Sequence, residues 1–355
     1  MSSAGSGGQG AGIAARELVA ADLPGWRELL ARSEQGGPYA APEYLAALCA
    51  ATGGSYRIVG VFLNGQLAAG AALYETAARG GRAVGNRTLL YYNGVVLGLP
   101  PKKFHSDRTA QLSSVLAALE RHVAGMGYAH VLLHCDPSVT DVRPFLAQGW
   151  LPGVSYTYVV ALDDLKAQWE RVDQNLRRLI KRCEKEGVAY REDADVEALF
   201  RLHLQTHQRK GAPLYLPQPA FRRYFDEAHA AGLARLGHAV FDGKVIASQL
   251  MLTGPGRVAH TVCAGADEDY LRMGASAFLR WRAFESLAQA GYAANDLTDA
   301  SLNPVTRFKS QLGGELRATL SVSKTFSQLY ALDAALRDLK SRLAARRRAP
   351  RPEPE

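Results

Sequence analysis

The chain has 355 residues, 47% of them hydrophobic, enough for a large core and for two domains rather than one, which excludes a disordered protein. Its formal net charge of +8 favours an anionic partner, whether nucleic acid, a phosphorylated substrate or a membrane surface; part of that excess is local, because Arg346, Arg347, Arg348 and Arg351 fall in a Pro-rich tail. The cysteines Cys49, Cys135, Cys183 and Cys263 have no short-range pairing, which argues against a zinc site or disulfide framework and fits a reducing cytoplasm, and no apolar run approaches the roughly 20 residues that cross a bilayer.

In chain order, residues 1–12 are a Gly/Ser-rich lead without the basic and apolar regions of a signal peptide. A first unit over 13–162 opens on a strand near Arg16, followed by helices for which Asp22 is an N-cap and Pro24 and Pro42 suit the first turn. Tyr56 to Tyr74 then reads as a β-hairpin, because its Asn-Gly pair, set between apolar runs, supplies the positive φ angles that a type I′ turn needs. A helix over Ala110 to Gly125, a glycine stop, a strand, a short helix and a last strand complete the unit. A second unit over 163–324 begins with the basic helix NLRRLIKRCEKEGV (Asn175 to Val188) and repeats the order: a hairpin at Ala234 to Leu252 around Asp-Gly, a helix over Arg272 to Ala290, then glycine, strand, short helix and strand. Residues 325–348 read as a C-terminal helix and 349–355 as a Pro-rich charged tail.

The two units are copies. GYAHVLLHCDPSVTDVRPFLAQGW from Gly127 lies without gaps on GYAANDLTDASLNPVTRFKSQLGG from Gly291, so that Arg143 faces Arg307 and Phe145 faces Lys309. The first copy carries about fourteen extra residues between hairpin and glycine, expected in the Gly/Arg-rich loop from Ala77 to Asn86. An antiparallel hairpin followed by a β-helix-β unit predicts an α/β fold in which a mixed sheet carries helices on its faces, built as a tandem duplication.

That order of elements resembles the GNAT acyltransferase fold, and two copies in one chain resemble the Fem (FemABX) family of aminoacyl and peptidyl transferases. The narrower likeness rests on DVRPFLAQGWLPGVSYTYVVAL (Asp141 to Leu162), on the basic helix, on LHLQTHQRKG (Leu202 to Gly211), on GASAFLRWRAFESLAQAGY (Gly274 to Tyr292) and on RFKSQLGG (Arg307 to Gly314). The resemblance implies two GNAT-like domains and an acyltransferase activity, with aminoacyl-tRNA as donor and no tightly bound cofactor. It implies an amine acceptor such as a peptidoglycan precursor, together with contact to an anionic membrane or a lipid-linked substrate.

On the basic helix, Arg178 and Lys181 recur at helical spacing and suit phosphates, although a solvated cationic face explains the same pattern. His203 and His207 stand four apart but lack the carboxylate of a His-Glu-x-x-His motif, so no metal is expected and both read as partly exposed helix histidines. Thr206, Arg209 and Tyr215 match positions that line the substrate in the family. Ordinary GNAT enzymes hold the acyl-CoA pyrophosphate on a small-residue loop at a helix start; here Gly274 and Ala275 suit such a start, but Leu271 stands where Gln or Arg is usual. Gly274 suits close helix packing equally well. Asp296 and Asp299 read as proton-transfer groups or as turn formers, and no nucleophile motif appears. Lys309, with Phe308 beside it, is the first candidate for stabilising charge in the reaction, because the second copy puts a cation where the first keeps a ring. The expected activity is therefore Fem-like aminoacyl transfer, with an acyl-CoA-dependent N-acyltransferase and a non-catalytic nucleic-acid-binding protein as the alternatives.

Overall fold

The computed structural model describes residues 12–302 and 304–348. The lead before Gly12 and the tail from residue 349 lie outside the described residues. The first copy comprises β1 (Ile13–Glu17), α1 (Leu23–Arg32), α2 (Pro42–Thr52), β2 (Ser55–Leu63), β3 (Gln66–Ala78), β4 (Gly81–Val84), β5 (Val95–Leu97), α3 (His105–Ala124), β6 (His130–His134), α4 (Arg143–Leu146) and β7 (Leu151–Ala161). The second comprises α5 (Leu165–Arg171), α6 (Gln174–Lys185), β8 (Ala189–Asp193), α7 (Val196–Lys210), α8 (Gln218–Ala230), β9 (Ala234–Phe241), β10 (Lys244–Leu252), β11 (Val258–Ala266), α9 (Ala275–Gln289), β12 (Ala294–Asp296), α10 (Pro304–Gln311) and β13 (Glu315–Thr325). Helix α11 (Gln328–Arg348) follows, within the C-terminal helix expected over 325–348, and Arg346 to Arg348 close it, so the excess charge they carry belongs to this helix and not to the Pro-rich tail.

Both hairpins turn as their sequences dictate: Asn64 and Gly65 have φ of 52° and 81°, Asp242 and Gly243 of 48° and 74°. Pro24 and Pro42 stand in first turns, where their missing N–H costs nothing, but Asp22 does not cap α1 with its side chain. Its carboxylate pairs with Arg16 at 2.7 Å and accepts the Val19 N–H. The extra residues of the first copy are not confined to Ala77 to Asn86. Residues 85–94 break the counterpart of β11 into β4, which pairs with β6, and β5, which pairs with β3. That break carries Tyr91 and Tyr92 across to the second copy, where the Tyr92 hydroxyl donates to Asp296 at 2.7 Å.

All strands join one mixed sheet, ordered β1-β2-β3-β4-β6-β13-β7-β12-β11-β10-β9-β8, with β5 beside β3. The last strand of each copy is exchanged. Strand β13 lies beside β6 with His130 opposite Thr325, and β7 lies beside β12 with Ala294 opposite Ala161. The numerical shift that carries Gly127 onto Gly291 carries the first pairing onto the second, and it carries β7 onto β13. Between them β7 and β13 pair antiparallel from Leu151↔Ser323 to Glu315↔Val159, which is also symmetric under that shift. The two copies are thus related by a pseudo-two-fold at the middle of the sheet.

On one face, α1, α2, α7 and α8 share a single core, in which Tyr44 and Tyr224 bring their hydroxyls to 2.9 Å across the copies. On the other face each copy keeps its own core, α3 and α4 over the first and α5, α6 and α9 over the second. Among the described residues no helix is long and apolar enough to cross a membrane.

Candidate active site

Strands β11 and β12 pair in parallel only from Val258↔Ala294 to His260↔Asp296, and beyond that they diverge, opening the second half of the sheet. Chain direction after β12 is set by a turn in which Thr298 and Asp299 have φ of 50° and 42°. Two consecutive non-glycine residues in that region store backbone strain, which persists only where the surroundings fix it. Here Asp296 supplies one restraint: fully buried, it accepts the Thr298 N–H at 2.7 Å and the hydroxyls of Tyr92 and Thr157. Asp299 accepts the Ser301 N–H at 3.0 Å and its hydroxyl. Both carboxylates therefore hold the turn, which accounts for the Asp pair without a proton-transfer role.

Lys309 supplies the second restraint. From α10 its half-buried Nζ donates to the carbonyl oxygens of Thr298 and, at 2.5 Å, of Asp299. An ammonium has three N–H groups, so one remains for a further acceptor. Burial first, and then the neighbouring Arg280 guanidinium, push the Lys309 ammonium down from its usual range to about 8. In the first copy the equivalent side chain, Phe145, is fully buried against Trp150, with ring centroids 5.2 Å apart. Phe308 packs into the core beside α5, α6 and α9. Arg307 is exposed, as is Arg143, which pairs with Asp141 at the surface, so neither arginine serves a core.

Arg280, which no motif singled out, comes from α9. Its Nη1 is buried without a hydrogen-bond partner, and its pKa is lowered to about 10 by burial. It lies within electrostatic reach of Lys309, Cys263 and Tyr215. Extending the internal alignment backward along the helix sets Arg280 against Leu116, which is fully buried in the core of the first copy. That extension was the available signal.

The other expected residues surround this opening at different depths. Thr206 is buried and its hydroxyl accepts the Ala266 N–H at 3.4 Å, at the diverging end of β11. Tyr215 packs against His203 and His207 with centroids 4.8 and 5.1 Å away, and burial raises its hydroxyl far above the usual range. His203 is not partly exposed as expected: it is fully buried, 3.2 Å from Cys263 Sγ, and burial lowers its pKa to about 3, so it is neutral. Arg209 is exposed, 3.8 Å from Glu268. Among the described residues no group of three His, Cys, Asp or Glu could hold a metal ion.

Gly274 opens α9 with a φ of 102°, and a Cβ placed there would lie 2.6 Å from that of Leu179. Gly274 and Ala275 are both buried, so α6 covers the start of α9. On the far side of α6, Arg178 and Lys181 are exposed, whereas Arg177 and Arg182 are tied to Glu170 and Glu186.

Residues 170–310, which contain this whole opening, match the family model described as an acetyltransferase (GNAT) domain. The chain therefore carries a GNAT acetyltransferase domain in its second copy. Among solved structures, FemX superposes with a TM-score of 0.68 at 12% identity, covering 90% of this chain and 99% of its own. The C-terminal domain of an Agrobacterium fabrum protein named for lysylphosphatidylglycerol synthetase gives 0.57 at 12% identity, covering 91% and 96%. A tandem GNAT protein from the clavulanic acid biosynthesis pathway gives 0.50 at 14% identity, covering 88% and 98%. No curated protein sequence matches the chain. These likenesses extend over both copies, so the fold shared with FemX and with tandem GNAT proteins is the whole duplicated sheet, beyond the single GNAT stretch that the family model matches.

Proposed function

We propose that this GNAT-fold protein transfers an aminoacyl group from aminoacyl-tRNA to an amine acceptor, with the opening between β11 and β12 as its active site. The amine nitrogen attacks the ester carbonyl, a C–N bond forms as the C–O bond to the ribose breaks, and the amine proton leaves with the ribose hydroxyl. The ester is already activated, so catalysis rests on alignment and on stabilising the developing oxyanion. The free N–H of Lys309, aimed by its two carbonyl partners, suits that oxyanion.

The observation that carries the choice of donor is the covered start of α9. A GNAT enzyme using acyl-CoA binds pyrophosphate on exposed N–H groups at that helix start, and here Leu179 packs against Gly274 and leaves Ala275 fully buried. Arg178 and Lys181, exposed cations without a carboxylate partner among the described residues, stand instead on the covering helix, where they suit the phosphates of a polynucleotide. The acceptor class expected from the Fem likeness, a peptidoglycan precursor or another lipid-linked amine, fits a cleft bordered by the aromatic rings of Tyr91 and Tyr215.

Mass spectrometry of reactions that offer the purified protein charged tRNA or acyl-CoA, each with a panel of amine acceptors, tests this reading. A mass gain equal to one amino-acid residue, dependent on charged tRNA, is the expected outcome. Transfer from acyl-CoA alone would replace the donor, and no transfer from either would leave only the binding surface.

A further inference from the structure

The opening between β11 and β12 is closed differently in the two copies. In the first, the positions reaching it from the long helix and the short helix are Leu116 and Phe145, both fully buried among Val95, Leu133 and Cys135. In the second, the same positions are Arg280 and Lys309. One copy fills the space with hydrocarbon and the other with two cations.

Among the described residues those cations have no anionic partner. Arg280 makes no hydrogen bond or ion pair with any described residue, and its Nη1 is shielded from solvent. Among the described residues Lys309 bonds only to carbonyl oxygens. The nearest carboxylates are committed elsewhere, Asp296 to Tyr92, Thr157 and the Thr298 N–H, and Asp299 to Ser301. Lys210 on α7 adds a third positive charge within reach of Lys309. Burying a guanidinium without a partner is costly, and two adjacent cations repel one another. A sheet that can be sealed by Leu and Phe gains nothing in stability from this arrangement, so the cations answer to something that binds.

We propose that Arg280 binds a monoanionic oxyanion of the substrate, a carboxylate or a phosphodiester, through its guanidinium fork, with the positive charge of Lys309 close by and that lysine's remaining N–H left for the reacting carbonyl. This rests on the opening being the active site. The planar fork suits two oxygens of one group, while the ammonium's remaining N–H serves the single oxygen of the reacting carbonyl. A substrate carrying such a group would be drawn into the sheet beside the reacting carbonyl, and an otherwise similar neutral amine would not be.

The test is thermal unfolding of the full chain in sodium acetate, in sodium dimethyl phosphate and in sodium chloride at equal ionic strength, for wild type, Arg280→Gln and Arg280→Lys. For wild type, one of the two oxyanions is expected to raise Tm above the chloride value, and which one does so tells a carboxylate from a phosphodiester source. Arg280→Lys keeps the charge but loses the fork, and is expected to bind about tenfold more weakly. Arg280→Gln is expected to lose the oxyanion response and, in chloride, to unfold no lower than wild type, because an unpaired buried charge has been removed. An equal oxyanion response in Arg280→Gln, no response beyond chloride in wild type, or a glutamine variant less stable than wild type in chloride would each overturn the proposal. Binding is read without a donor, so absence of acyl transfer would count against the transfer reading and leave this one standing.

Discussion

Phe145 and Lys309 occupy one position in two copies of the same fold, and they point into the same part of it. Phe145 completes a core; Lys309 holds two carbonyl oxygens of a strained turn and keeps a donor free. Replacing Lys309 by Met, which keeps the length and loses the charge, is therefore expected to lower turnover by about 10² to 10³. Far-UV circular dichroism should be unchanged, because Asp296 still holds the Thr298 N–H. Turnover within threefold of wild type would remove Lys309 from the mechanism.

The same lysine imposes a pH dependence. If the ammonium stabilises the oxyanion, kcat should fall as pH rises through about 8, where Lys309 loses its proton. Its effect on stability has the opposite sign. With the folded pKa at about 8 and the ordinary value at 10.5, the unfolded chain binds the proton more tightly between those limits. Stability therefore rises with pH across that window, and the Lys309 contribution is unfavourable below it. Urea midpoints of wild type and Lys309→Met, compared from pH 7 to 10, should converge as pH rises; parallel curves would contradict the shift.

Much of this arrangement was legible in the sequence, for physical reasons. Asn64-Gly65 and Asp242-Gly243 fixed both hairpins because few other pairs accept positive φ at two successive positions. The duplication was legible because equal folds demand equal glycine stops and apolar spacing. The exchange of β7 and β13 was not: the two strands are equivalent, so swapped and unswapped pairings satisfy the same ladder with the same kinds of side chain. Arg280 escaped notice because an arginine within an amphipathic helix ordinarily reads as exposed, and only the fully buried Leu116 at its counterpart marks the position as interior. The burial of His203 is not legible for a related reason, since helical spacing relates it to His207 without telling which of them lies under the sheet.

Asp136 titrates in the other copy. Burial raises its carboxyl to about 6, with Asp296 and Glu34 adding repulsion, while Ser138 donates its N–H at 2.9 Å and its hydroxyl. The folded state thus keeps this proton longer than the unfolded chain does. Its contribution is fully present below about pH 4 and is lost as pH rises through about 6. Asp136→Asn retains an acceptor for Ser138 and cannot ionise, so it is expected to be more stable than wild type at pH 7.5 by on the order of 1–3 kcal/mol. Equal stabilities at pH 7.5, measured by chemical denaturation, would show that the carboxylate is better solvated than its burial implies.

Arg178 and Lys181 are exposed on the helix that covers the start of α9, and they are expected to act through charge alone. If they meet tRNA phosphates, the double variant Arg178→Ala/Lys181→Ala should bind charged tRNA more weakly and show a salt slope smaller by about 1 to 2. Filter binding between low and physiological salt measures both. An unchanged slope would mean that these cations are a solvated face.

Gly274 links that helix to the active-site helix, and it separates packing from phosphate binding. Its φ of 102° is hostile to any other residue, and a methyl group there would sit 2.6 Å from the Leu179 Cβ, in a helix pair with little room to part. Gly274→Ala is therefore expected to destabilise the fold by about 2–4 kcal/mol from backbone strain and overpacking together. A second change, Leu179→Gly, should recover part of that loss by removing the Cβ that the methyl meets, although alone it removes apolar contact and destabilises the helix. Non-additive stabilities in this double-mutant cycle would identify Gly274 as a packing residue. Additive losses combined with weaker donor binding in Gly274→Ala would instead mean that the glycine serves an anion at the helix start, and acyl-CoA would return as the donor to test first.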